Sequence, residues 1–281
     1  MSAFDWPALF VPPDPLTDTT AAAWFDLIAA HLLTRARLVV GGQPHRFTEL
    51  EMYYHGPGFE DPFAHRDPNQ LCLGRWYFHR TGGTYRGGSF KGMDLAFGGG
   101  AAFAGVLVRG LRKPDGTALD GPSVTVDHLL TTAGHRTVAL LDAACGPSAA
   151  WQPGHTLGLV AEEAEDRPVF KCARVGLSLK KRKPRPDDPA FGVLFRRYRY
   201  LADPTRTAKG KALMAFALLA DGKSVAEVSA ATGSPVSAVT RYAADHAAGM
   251  TETDPTPYYG KDWTTAELCR LHGLWHATHG G

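Results

Sequence analysis

The run "RFTELEMYY", Arg46 to Tyr54, limits what this chain can fold into more than any other stretch. In an extended strand alternate side chains share a face. Leu50, Met52 and Tyr54 therefore point one way and make a core-like surface. Phe47, Glu49, Glu51 and Tyr53 point the other way. Two acids mixed with aromatic rings pack poorly, but they suit a site that does chemistry.

The flanking sequence supplies a sheet for that strand and helices to cover it. "TDTTAAAWFDLIAAHLLTRARLVV" begins with capping residues and continues with helical apolar spacing at Ala22, Trp24, Phe25, Ile28, Leu32 and Leu33. A strand near Arg37–Val40 follows, and "RWYFHR" (Arg75–Arg80) reads as another. The glycine-rich "TGGTYRGGSFKGMDLAFGGG" leads into "FAGVLVRGL", Phe103 to Leu111, a buried strand with Arg109 near its end. Helices are expected around Val124–Thr132 and Arg136–Cys145. "CARVGLSL" and "VLFRRYRYL" read as strands flanking a basic loop. Alternation without regular βαβ units predicts an α+β fold, a single mixed, mainly antiparallel sheet with surrounding helices.

After about Pro204 the chain becomes alanine-rich and helical. This predicts a main domain over residues 1–204 and a small all-α, helix-turn-helix-like region over residues 205–281. Its turn, "ATGSP", carries Gly233, and Ser234 can cap the second helix ahead of Pro235. That helix offers Ser237, Thr240 and Arg241 but little positive charge. Contact with DNA and a plain helical cap on the main domain are both compatible with the pattern.

The 281 residues are 44% hydrophobic and 21% charged, which is ordinary for a globular protein with a real core. A net charge of +2 argues for no partner, but its distribution is uneven. From Lys171 to Tyr200 ten Lys/Arg face only Asp187 and Asp188, and "KKRKPRP" lies within that stretch. Cys72, Cys145, Cys172 and Cys269 are scattered without a C-x-x-C, so neither a disulfide framework nor a cysteine zinc site is expected. Cys269, His272 and His276 have ligand-like spacing, yet histidines of a fraying terminal helix are the expected reading, with no metal and no cofactor. No secretory leader or membrane-length apolar run is seen, so a cytoplasmic, monomeric protein is expected.

Several blocks, taken in order, resemble the alkyladenine (3-methyladenine) DNA glycosylases over most of residues 20–203. "TELEMYYHGPGFEDPFAH" is similar to that family's E-x-E-A-Y strand and the acidic loop ending in A-H. "RWYF", "GVLVRGL", "CGPSAA", "ARVGL" and "FRRYRYL" resemble its later strands and its G-P-x-x-L segment. The resemblance implies hydrolysis of an N-glycosidic bond in double-stranded DNA after the nucleotide has been flipped from the stack. One carboxylate serves such chemistry twice, as base toward water and as negative charge beside an oxocarbenium-like transition state.

By the same resemblance Glu51 is that carboxylate and Arg109 holds nucleotide and water beside it. Tyr53 and His65 match the stacking residues, and Phe78 matches the opposing aromatic. Simple packing is an alternative for both His65 and Phe78, and an ion pair with an arginine is expected for Glu49. No lysine takes a nucleophile position, which implies an abasic product without strand cleavage. Thr81 stands where the family carries its intercalating tyrosine, leaving Tyr85 or Arg86 of the glycine-rich insertion for that task. Asp94 aligns near the pocket asparagine and accepts hydrogen bonds only, which suits an exocyclic amine; this change and the glycine-rich insertion leave the base open between an alkylated purine, as the resemblance implies, and something larger, such as a modified cytosine of phage DNA. Lys180, Lys181, Arg182, Lys183 and Arg185 are expected on phosphates. The rival readings are a non-catalytic DNA-binding protein on the same fold and an enzyme of free nucleosides.

Overall fold

The structure, a computed structural model, describes residues 4–185 and 187–279. It comprises two compact units, Met1–Val169 with Tyr200–Ala202, and Phe170–Arg199 with Asp203–Gly281. The fold is α+β. "KKRKPRP" belongs to the second unit, and its Pro186 lies outside the described residues.

The first unit opens with α1 (Trp6–Leu9) and α2 (Asp18–Arg35), then β1 (Ala36–Val40), β2 (Gln43–Gly56) and β3 (Phe59–Glu60). Next come β4 (Trp76–Phe78), β5 (Arg80–Thr81), β6 (Thr84–Tyr85), β7 (Met93–Ala96), β8 (Phe103–Arg112) and β9 (Ala118–Asp120). Helices α3 (Pro122–Thr132) and α4 (Val138–Cys145) precede β10 (Leu157–Ala161). The main path of the sheet is β10-β1-β2-β8-β7-β4, antiparallel at every step, with β3 added to β2 and β9 to β8. Helix α2 starts where Thr17 and Thr20 form a reciprocal capping box. Its Trp24 and Phe25 pack on Tyr54, Phe59 and Phe97. Each such side chain, when fully buried, stabilises the fold by about 1.5–3 kcal/mol. The Leu50–Met52–Tyr54 face of β2 is therefore the core, and the glutamates take the other.

In the second unit β11 (Phe170–Cys172) is followed by α5 (Pro189–Val193), α6 (Lys211–Ala220), α7 (Val225–Thr232), α8 (Val236–Gly249) and α9 (Thr265–His279). The two strands expected around the basic loop are corrected here. Only Phe170–Cys172 and Arg199–Leu201 are extended ladders; Val193 ends α5, and Leu194 to Tyr198 follow it without strand pairing. Asp188 accepts a hydrogen bond from Ala190 N and Pro189 occupies the first turn, so a capping signal overrides the β-like composition. Helices α8 and α9 come close at two glycines. A β-carbon on Gly249 would meet Arg270 O at 1.9 Å, and one on Gly273 would meet His246 O at 2.0 Å.

Candidate active site

Strand pairing lays Tyr77, Asp94, Leu107 and Glu51 in one row across β4, β7, β8 and β2. Residues directly opposite on neighbouring strands share a face, so all four lie on the side away from α2. Glu51 and Asp94 stand two strand spacings apart, roughly 10 Å.

The first cluster surrounds Glu51, whose side chain is 0% exposed. Arg109 reaches over from β8, with Nε 2.5 Å from Glu49 Oε1 and 3.5 Å from Glu51 Oε1. The β2–β8 pairing is irregular between Phe47 and Leu50, where Glu49 sits opposite Gly110. A β-carbon on Gly110 would come within 2.7 Å of Thr48 Oγ1, so the close approach needs glycine. Burial works against the Arg109 charge, yet the Glu51 and Glu49 carboxylates outweigh it and hold the arginine's pKa above its ordinary value. Glu49 has the arginine partner expected of it. Tyr53, expected to stack on a base, is half-buried, and its hydroxyl donates to Glu51 Oε2 at 2.9 Å.

The second cluster is built on Asp94. His79 Nε2 lies 2.7 Å from Asp94 Oδ1, and Gln70 Nε2 donates to Oδ2 at 3.0 Å. Both carboxylate oxygens are thus engaged by the protein, which makes Asp94 an anchor for two neighbours rather than a bare acceptor. Gly105 on β8 leaves room for this arrangement, because a β-carbon there would sit 2.7 Å from Asp94 Oδ2 and 3.0 Å from Gln70 Nε2. His65 joins the cluster through Nδ1, 3.2 Å from the Tyr77 hydroxyl, and its ring meets His79 edge-on at 4.3 Å. Burial, reinforced by His79, pushes the His65 imidazole down to about 4, so it is uncharged at neutral pH. Burial likewise raises the Tyr77 phenol above its ordinary value.

Phe78 requires a correction. It is as buried as Tyr77, but it pairs with Met93, one step out of phase with the Tyr77–Asp94 pair. It faces the core layer, and Tyr77 is the aromatic that shares the Glu51 face. Tyr77, Gln70 and His79 were missed as site residues. "RWYFHR" carries the two-residue spacing of Tyr77 and His79, but both faces of that strand are apolar enough to hide its phase.

The hairpin β5–β6 turns at Gly82 and Gly83, whose φ angles of 55° and 80° suit a two-residue primed turn. Tyr85 is half-buried, donating to Asp142 Oδ2 at 2.6 Å and lying 4.4 Å beneath the Arg80 guanidinium. Arg86 Nε donates to Thr81 Oγ1 at 3.0 Å, next to the exposed tip. In this conformation Tyr85 braces the hairpin, and Arg86 stands one pair farther from its turn, its N–H donating to His79 O.

The basic tract, in the second unit, is partly committed. Lys180 pairs with Asp262, while Arg182 and Arg185 lie 3.7 and 3.6 Å from the buried Asp188. Lys181 and Lys183 are exposed. Of the α9 histidines, His272 packs on Phe195 and Phe216 and, with His246, His276 and Trp275, lines a cavity of about 480 Å³, while His279 at the helix end is exposed. Buried Cys269 has its thiol pushed up to about 12 by desolvation. Among the described residues no three His, Cys, Asp or Glu side chains are arranged to hold a metal ion. No helix among them is long and apolar enough to cross a membrane.

No protein-family model matches the chain. It is similar to uncharacterized protein L759 of Acanthamoeba polyphaga mimivirus, 33% identical over 122 residues. The match covers 38% of this chain and 56% of the relative, so the chain spans about half of that protein's length.

Proposed function

We propose that the chain is a monofunctional DNA glycosylase, a cytoplasmic monomer that flips a modified base from duplex DNA and hydrolyses its N-glycosidic bond. The observation that carries this reading is the Glu51 row. It holds a buried carboxylate flanked by Arg109 and Tyr53 and, about two strand spacings away, a patch of Tyr77, His65, His79 and Asp94 suited to a flat, polar ligand. An uncharged His65 can face a base without a desolvation penalty for its own charge.

On substrate entry the Tyr53 hydroxyl leaves Glu51 Oε2 and frees that oxygen for water. The C1′–N bond breaks with its electron pair leaving on the base. Water forms the new C1′–O bond, and its proton passes to Glu51. Arg109 keeps the carboxylate aimed, and Glu51 opposes the positive charge that develops on the sugar. The base is an alkylated purine or a bulkier group such as a modified cytosine of phage DNA; the Asp94-anchored His79 and Gln70 amide set the polar edge it meets.

Base release tests the proposal. Methylated, deaminated and phage-derived modified duplexes are incubated with the protein, and free bases are identified by mass spectrometry. Wild type is expected to release one class and leave abasic sites. Glu51→Gln is expected to lose about 10²–10⁴-fold in rate with duplex affinity retained. An equally active Glu51→Gln, or binding without release from every duplex, overturns it in favour of a DNA-binding protein.

A further inference from the structure

The two units differ in sign. Met1–Val169 with Tyr200–Ala202 holds 13 Lys/Arg against 18 Asp/Glu, a net of −5. The second unit holds 17 against 10, a net of +7. Duplex DNA binds positive surface through its phosphates, so the second unit suits a duplex better than the first; its excess lies in residues 170–204, and residues 205–281 balance 7 Lys/Arg against 7 Asp/Glu.

Within the second unit α7 and α8 form a helix pair joined by a tight turn. Ser224 and Glu227 cap α7 reciprocally, Gly233 turns the chain in the left-handed region at φ 64°, and Pro235 opens α8. Val228, Thr232 and Val239 are buried and lock the pair together. The far end of α8 is held against α9 at Gly249 and Gly273. What is left exposed near its start is a stripe of Val236, Ser237, Thr240, Arg241 and Ala244. Lys211 reaches the turn, with Nζ 3.8 Å from where a β-carbon of Gly233 would stand, and Lys209 and Lys223 are exposed.

We propose that α7 and α8 are a DNA-reading helix-turn-helix that places the exposed stripe of α8 in the major groove. Lysines 209, 211 and 223 meet the phosphates, Ser237 and Thr240 touch base edges, and Arg241 pairs with a guanine, the commonest partner of arginine in that groove. This extends the glycosylase reading by naming its duplex-recruiting element, but it rests on the second unit alone.

The test uses full-length protein and a fluorescein-labelled duplex of randomised sequence, with anisotropy read from about 50 to about 200 mM salt. Thr240→Glu puts a negative charge on the exposed stripe and leaves the packed side untouched; circular dichroism verifies its helices. Its affinity is expected to fall about tenfold or more. Selection from a random duplex pool is expected to enrich a guanine-containing motif, and Arg241→Ala is expected to relax that preference. Wild-type affinity in Thr240→Glu, together with no motif enriched, overturns the proposal and leaves the stripe to a protein partner. If Thr240→Glu loses binding while no duplex ever yields a free base, the glycosylase reading fails and this one stands.

Discussion

Charge is handled in opposite ways by the sheet around Glu51 and by the helical unit. On the sheet, Glu49, Glu51, Asp94 and Arg109 are all buried. Each has a named partner within hydrogen-bond or ion-pair distance. In the helical unit Lys181, Lys183, Lys209 and Arg241 sit in solvent, Lys223 pairs with Glu227 at the surface, and the exceptions are the buried Arg174, Asp188 and Arg199. Buried charges are costly unless paired, so they are few, oriented and able to act on a single reacting atom. Exposed charges act together through their field, are screened by salt, and decide association rather than chemistry. The lesson is that a net charge of +2 describes neither region.

The comparison breaks most severely at Arg109. Arg109→Met leaves Glu49 and Glu51 buried without their guanidinium and is expected to cost about 3–5 kcal/mol in urea unfolding. Adding Glu49→Gln should recover a substantial part; an equally unstable double variant would mean the carboxylates are not what Arg109 neutralises.

Asp188 sharpens the contrast from the other side, being a buried acid in the basic unit. It caps α5, accepts from the Tyr259 hydroxyl at 3.0 Å and faces Arg182 and Arg185. Asp188→Ala is expected to cost about 1–2 kcal/mol while removing the carboxylate that both arginines face, so thermal stability falls and duplex affinity rises slightly. Reduced affinity in a variant that stays folded would contradict the idea that Asp188 holds these cations back.

Both units also share an acid sensitivity. Burial lowers His31 and His65 to about 4 in the first unit, and lowers His246 and His272 in the second. A histidine whose folded pKa lies below its unfolded value of about 6.5 binds protons more readily when unfolded. Stability is therefore complete above about pH 6.5 and declines as pH falls toward about 4. Melting curves of His65→Gln and His272→Gln across that range should each show a weaker decline than wild type. An unchanged decline in either variant would show that this histidine does not carry the acid sensitivity of its unit.

Much of this is legible in the sequence, because it rests on local periodicity. Alternation in "TELEMYY" placed Glu49, Glu51 and Tyr53 on one face, since strand geometry reverses every side chain in turn. Gly233 followed by Ser-Pro marked the turn between α7 and α8, since few residues adopt a left-handed backbone cheaply. Capping residues marked α2 for the same kind of reason.

The phase of "RWYFHR" was not legible, because Trp76, Tyr77 and Phe78 are all buried and nothing in the alternation says which face is which. Pairing with β7 decides it, setting Tyr77 beside Asp94 and turning Phe78 into the core. Nor could sequence reveal that Gln70, His79 and Gly105 converge on Asp94, because those contacts join segments far apart in the chain. The sequence by itself determined which strand carries the acids, where α2 starts and where the turn between α7 and α8 falls, all consequences of covalent geometry over a few residues. Only the tertiary structure decided which side chains meet Glu51 and Asp94, and which charges belong to which unit. Partners for a buried charge are chosen by strand register and packing, which no short window of sequence contains.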